Sequence, residues 1–529
     1  MRRRLLALLI GLGLAHGAIA GPVARVETGR LEGISQGGVD AFLGTPYAAP
    51  PTGERRWRPP VAAKAWRGVR RADAYAPACP QAGVSMPGES PPRTDEDCLY
   101  LNVWRPATRS GEPLPVVVWI HGGGWNNGAT SLPLYAGDRL AARGVVFVSI
   151  AYRLGALGFL AHPALSAEGG GQSGDYGLMD QVAALRWIQR NIAAFGGDPG
   201  RVTIAGQSAG AMSVSALMAS PEAEGLFHRA IAQSGGLFEP LELAPNYRLA
   251  GAEKDGAAWA ADEGARTTGE LRALPLERLL TPAARRLAHP VVGTRVLPLS
   301  PYEAYVAGRW NRVPLLLGYN AEEARSLVDL APVTARSFTA EITRDWGPLP
   351  PALLAGYPFT DDAGARRARA DFERDLRFSW DMWAWARLQA GAGQPVWLYR
   401  FSRRPPFPAD SVRADWGAGH FAELWYMFDH LEQEPWAWTA QDRALAEVMA
   451  GAWAAFAREG RPGEHWPAYR LDEPSLLDLG EVAAPGPVPE LPGLRVFDAV
   501  YDAVRGRPFG APPTARAGSE GPSRPGRRD

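Results

Sequence analysis

The residues with the clearest chemistry lie in RVTIAGQSAGAMSVSA, positions 201–216. Val202 to Ala205 is a short apolar run that reads as a strand. Gly206-Gln207-Ser208-Ala209-Gly210 follows, and then small residues with helical character. A serine between a strand and a helix sits on a tight turn that lifts its hydroxyl above the sheet, and flanking glycines let strand and helix approach closely. The five-letter pattern alone is weak in a chain with 60 glycines, and Gly33-Ile34-Ser35-Gln36-Gly37 repeats it without a helix after it. Ser35 therefore reads as a hairpin or loop serine. The plain alternative for Ser208 is a helix N-cap.

A serine hydroxyl attacks only when a base takes its proton, and that base needs an acid to orient it. In the α/β-hydrolase arrangement the order along the chain is serine, acid, histidine. Of eight histidines, His228, His289, His420, His430 and His465 follow Ser208. His228 leaves little room for an acid, whereas His420 stands in the glycine-rich stretch GAGHFAEL after a late apolar run. The best-placed acids are Glu322 and Glu323, just after the run ending Leu317-Gly318-Tyr319-Asn320; they are adjacent, and Glu323 is favoured. Without the other motifs, two solvated glutamates opening a helix would be the simpler reading. His121-Gly122-Gly123-Gly124-Trp125 follows another strand-like run, Pro115 to Ile120. The N–H groups of Gly123, Gly124 and Ala209 could hold the oxygen on which negative charge develops. Trp125, Phe421, Trp425 and the Trp380–Trp385 run are candidates for an apolar pocket, although tryptophans at such spacing usually pack in a core.

The elements that would position these groups alternate. Strand-like runs at 99–104, 115–120, 145–150, 202–205, 230–233, 313–317 and 396–401 are separated by helical stretches such as 180–195 and 439–458. Such alternation predicts an α/β fold, a large mostly parallel sheet with helices on both faces. Residues 23–60 read as an antiparallel meander. The long helical stretches 240–310 and 325–392 are expected as insertions over the active site.

The chain is 46% hydrophobic and 21% charged, with 56 acidic and 56 basic residues and no basic block interleaved with aromatics, which argues against nucleic acid as a partner. Residues 1–20 have the arginines, short apolar core and Ala18-Ile19-Ala20 end of a signal peptide; no run is long enough for stable membrane insertion. Export is therefore expected, to a periplasm or the exterior. It would permit Cys79 and Cys98 to pair, which contributes about 3 kcal/mol by the loop-entropy argument. Residues 21–505 are expected as one domain, and 506–529, rich in Gly, Pro, Ser and Arg, as a disordered tail. No pattern for a metal or cofactor is present. The oligomeric state is not legible.

Taken together, the chain resembles the type-B carboxylesterases, the carboxylesterase/cholinesterase family within the α/β-hydrolases. The resemblance covers roughly residues 23–505. Its most specific pieces are Glu96-Asp97-Cys98-Leu99-Tyr100-Leu101-Asn102-Val103 and Phe195-Gly196-Gly197-Asp198-Pro199 running into the serine turn. The resemblance assigns the acid to Glu323 and the base to His420, implies the Cys79–Cys98 bridge, and implies hydrolysis of a small-molecule carboxylic ester through an acyl-enzyme. Ala324 and Phe421 depart from the family's smaller residues after the acid and the base, so more bulk is expected beside the triad. The competing readings are a binding module with a dead site, or a hydrolase for an amide, a lactone or a complex natural or synthetic ester.

Overall fold

A computed structural model describes residues 21–108, 111–346 and 349–512. Its centre is a run of seven parallel strands: β1 (Leu114–Ile120), β2 (Val146–Ile150), β3 (Gly197–Gln207), β4 (Arg229–Gln233), β5 (Leu315–Asn320), β6 (Val396–Phe401) and β7 (Ser475–Leu479), in spatial order β2-β1-β3-β4-β5-β6-β7. Antiparallel strands extend it on both sides: Tyr100–Pro106, Val39–Pro46 and Ile34–Gln36 beyond β2, and Ala483–Pro487 beyond β7, making eleven. This is the α/β-hydrolase architecture. A separate small sheet pairs Val23–Val26, Gly29–Glu32 and Val69–Arg71.

The central strands are built mainly of apolar residues because both faces of the sheet are covered there. In β1, Val116, Val118 and Ile120 join one hydrophobic cluster, while Val117 and Trp119 join another on the opposite face, the period-two alternation of a strand. Helices α1 (Tyr176–Asn191) and α2 (Ala209–Ala219) pack in the first cluster, and α4 (Ala440–Glu459) in the second; α3 (Trp380–Gly391) and α5 (Leu491–Arg505) also belong to the first.

The tryptophans of α3 are core residues. Trp380 and Trp385 have no exposed surface, and their indole N–H groups reach Asp498 and the Tyr305 hydroxyl; Trp383 reaches the Tyr469 hydroxyl. A buried indole needs such a partner, and these three are spent on the core rather than on a gorge. Residues beyond Arg505 hold structure further than the composition predicts: Phe509 packs on Tyr302 and Trp380, and the Gly510 N–H donates to the Tyr302 hydroxyl. The rest of the expected tail, like the expected signal peptide, lies outside the described residues. Ser35 falls on an edge hairpin, as its surroundings predict. A disulfide joins Cys79 to Cys98.

Candidate active site

The serine turn joins β3 to α2. Ser208 has φ +56° and ψ −128°, a conformation that a non-glycine residue adopts only under strain. The flanking glycines are required by contact: a Cβ on Gly206 would stand 2.4 Å from the Gly210 carbonyl carbon, and one on Gly210 would stand 2.1 Å from the Ile120 oxygen. A bond from the Ser208 N–H to the Gln233 carbonyl, 2.8 Å, fixes the turn to the neighbouring strand.

His420 and Glu323 meet although 97 positions separate them. The imidazole Nδ1 lies 2.6 Å from Glu323 Oε2, and both side chains are buried. The second oxygen of Glu323 accepts the Asn320 N–H at 2.8 Å. With Nδ1 donating to the carboxylate, Nε2 is the acceptor, and it lies 3.1 Å from the side-chain nitrogen of Gln207, the residue just before Ser208. The Phe378 ring stacks on the imidazole at 4.6 Å, and the edge of Phe421 meets it at 4.4 Å.

The adjacent acid has another task. Glu322 forms a two-point ion pair with Arg404, at 2.7 and 2.8 Å, and accepts the Ala418 N–H. It holds the loop that carries His420. A third carboxyl, Glu423, lies buried near the imidazole, bonded by Asn320 and Gln233. Burial, and then the neighbouring Glu323, push it up to about 7. Glu423, Gln207 and Phe378 are the neighbours that sequence reasoning missed. Glu423 stands in the same GAGHFAEL stretch as His420, whereas nothing in the chain marks Phe378.

The loop after β1 reaches the serine. A Cβ on Gly122 would approach the Ser208 Cβ to 3.0 Å, and Gly123 and Gly124 have φ of +110° and +59°. Among the described residues the N–H groups of Gly123 and Gly124 have no backbone or side-chain acceptor. Ala209 opens α2, where an N–H has no acceptor within the helix. Three free donors therefore surround one side of the turn. His121 contributes no charge: burial lowers it to about 4, and it stacks on Tyr152.

This combination of strained serine, paired imidazole and free backbone donors is that of a serine esterase, and the comparisons agree. The Carboxylesterase family model matches residues 20–345 and 356–485. The chain belongs to the carboxylesterase family. It is an enzyme that hydrolyses carboxylic esters. The esterase is 38% identical to the fumonisin B1 esterase of Sphingopyxis macrogoltabida, over 84% of each chain. It is 35% identical to the para-nitrobenzyl esterase of Bacillus subtilis, over 86% of this chain and 94% of that one. A solved PNB esterase superposes with a TM-score of 0.77 at 33% identity, covering 90% of this chain and 99% of the other.

The three pocket candidates of the esterase differ. Phe421 stands against the His420 imidazole. Trp125 is buried, donates to the Ser213 hydroxyl at 3.2 Å and packs on Phe159, so it braces the glycine loop. Trp425 packs between Phe407 and Trp436 and borders a different cavity, of about 400 Å³, beside Met86 and Glu89 of the disulfide loop. Its ring contacts are with Phe407 and Trp436, partners that adjacency to His420 in sequence could not reveal.

Proposed function

We propose that Ser208 is the nucleophile, His420 the base and Glu323 the orienting acid of this esterase, with the N–H groups of Gly123, Gly124 and Ala209 as oxyanion donors. Ser208 Oγ attacks the ester carbonyl and its proton passes to His420 Nε2. The imidazolium is stabilised by Glu323, and the three N–H groups hold the oxyanion. The proton then goes to the departing alkoxide, leaving an acyl-Ser208. Water, deprotonated by the same nitrogen, releases the acid. The observation that carries this reading is the 2.6 Å bond from the imidazole to Glu323, with Nε2 turned onto the residue preceding the serine. Gln207 then occupies the nitrogen that the Ser208 proton would reach, and it must yield as substrate binds.

Small carboxylic esters are the substrate class, and an aryl ester such as p-nitrophenyl acetate is the natural first probe. Ser208→Ala should abolish its turnover and labelling by a fluorophosphonate; turnover retained in that variant overturns the assignment. The chain is read as one catalytic domain preceded by a signal peptide ending at Ala20. No described helix is long and apolar enough to cross a membrane, and the disulfide is compatible with export. Mass analysis of the mature protein tests this, with Gly21 expected as its first residue.

A further inference from the structure

A cavity of about 230 Å³ opens one helical turn from Ser208. Met212, Leu237, Val292 and Leu376 contribute an apolar wall, and Glu239 and Tyr501 also line it. Two of these residues tie it to the proposed triad. Met212 lies four positions after Ser208 on α2, and its side chain shares with the Ser208 carbonyl the space over Gly235. Leu376 is two positions before Phe378, whose ring stacks on His420.

The polar groups of this cavity are unusual for an apolar wall. Behind Glu239, which is half-buried, stands Asp381, which has no exposed surface. Asp381 stands close enough to Glu239 for the two carboxyls to interact electrostatically. Asp381 Oδ1 accepts the Phe238 N–H at 3.2 Å, whereas among the described residues neither Oδ2 nor the buried Tyr501 hydroxyl has a hydrogen-bond partner. Burial raises both acids, and the nearness of Glu239 raises Asp381 further. Arg505 partly opposes this for both. It does not border the cavity: its guanidinium donates to the Phe238 carbonyl and lies over the Tyr302 ring at 3.8 Å.

An apolar chamber with a few convergent polar groups is the usual form of a ligand pocket. Here the polar groups that border the chamber are the Glu239 carboxyl and the Tyr501 hydroxyl. We propose that the cavity takes one arm of the ester substrate, an alkyl chain ending in a protonated amine, with Glu239 as the acceptor for the ammonium and Asp381 behind it. On binding, the ammonium N–H groups donate to the Glu239 carboxyl, and any proton that carboxyl carried leaves to water. An arm ending in a methyl group would offer Glu239 no donor, and a buried polar group left unpaired is what gives such sites their discrimination.

The proposal rests on Ser208 as nucleophile, and the test keeps the two apart. The full-length mature protein is assayed with p-nitrophenyl 6-aminohexanoate against p-nitrophenyl heptanoate, and with 6-aminohexyl acetate against heptyl acetate. In at least one pair the amine-terminated ester should have a kcat/KM more than tenfold higher, and Glu239→Gln should reduce that ratio at least tenfold. Independently of any variant, heptylammonium should inhibit hydrolysis of p-nitrophenyl acetate by the unaltered enzyme more than tenfold better than heptanol. Ratios below tenfold in both pairs, equal inhibition by the amine and the alcohol, or a ratio untouched by Glu239→Gln would overturn the amine pocket while leaving Ser208 standing. Failure to cleave any of the four esters, together with no fluorophosphonate labelling, would overturn Ser208 and the pocket with it.

Discussion

Glu323 and Asp381 both have no exposed surface, yet their surroundings differ in what they supply. Glu323 receives the Asn320 N–H on one oxygen and the His420 ring on the other. Asp381 receives one backbone N–H, and its next neighbour is a second acid, Glu239. Burial disfavours a charged carboxyl, and donors restore it. The first arrangement suits a fixed negative charge that orients an imidazole. The second suits an acid that burial and a neighbouring carboxyl push toward its neutral form. What a buried acid does is thus set by the donors that reach it, rather than by its depth.

The sharpest way to break this comparison is Glu323→Gln. The amide keeps the shape but cannot stabilise the imidazolium, so kcat on p-nitrophenyl acetate should fall by about 10⁴-fold. A fall of less than tenfold would show that the donors around Glu323 serve packing instead.

A smaller effect should follow from Asp381→Asn, read in stability against pH. An acid raised in the folded state contributes stability that is complete below its unfolded value, near 3.8 for Asp381, and is lost as pH rises through the folded value. Thermal unfolding midpoints measured from pH 4 to 8 should therefore fall more steeply in the unaltered protein than in the variant. The difference is at most about 1.4 kcal/mol for each pH unit. Parallel slopes would mean that Asp381 is not held protonated.

The smallest effect is expected from Glu322→Gln. Its partner Arg404 is largely exposed, and such pairs contribute below about 1 kcal/mol. Turnover should stay within about threefold of the original. A loss approaching that of Glu323→Gln would erase the distinction between the two neighbours.

Much of the site was legible in the chain, and particular residues show why. The serine turn is local: its glycines stand within two positions of Ser208, and each meets backbone that would exclude a side chain. For the acid, position narrowed the choice to two neighbours with Glu323 favoured, and the family resemblance assigned Glu323; what the chain did not show is the use of the other. Arg404 and the Ala418 N–H occupy Glu322, and these lie far along the chain. The tryptophans of α3 give the same lesson. Their spacing suits a pocket or a core equally, and the choice follows from Asp498, Tyr305 and Tyr469, which only the fold brings to their N–H groups.

By itself the sequence determined the parallel sheet, through short apolar runs buried on both faces, and the serine turn, through glycines that no other residue could replace. The tertiary structure alone decided what occupies Glu322, that Trp425 borders the cavity beside the disulfide loop, and that Glu239 lines a cavity near the serine. The physical reason is distance along the chain. A turn is fixed by sterics among adjacent residues, whereas the charge state and direction of a buried side chain depend on partners that are neighbours only after the sheet and its insertions have closed around them.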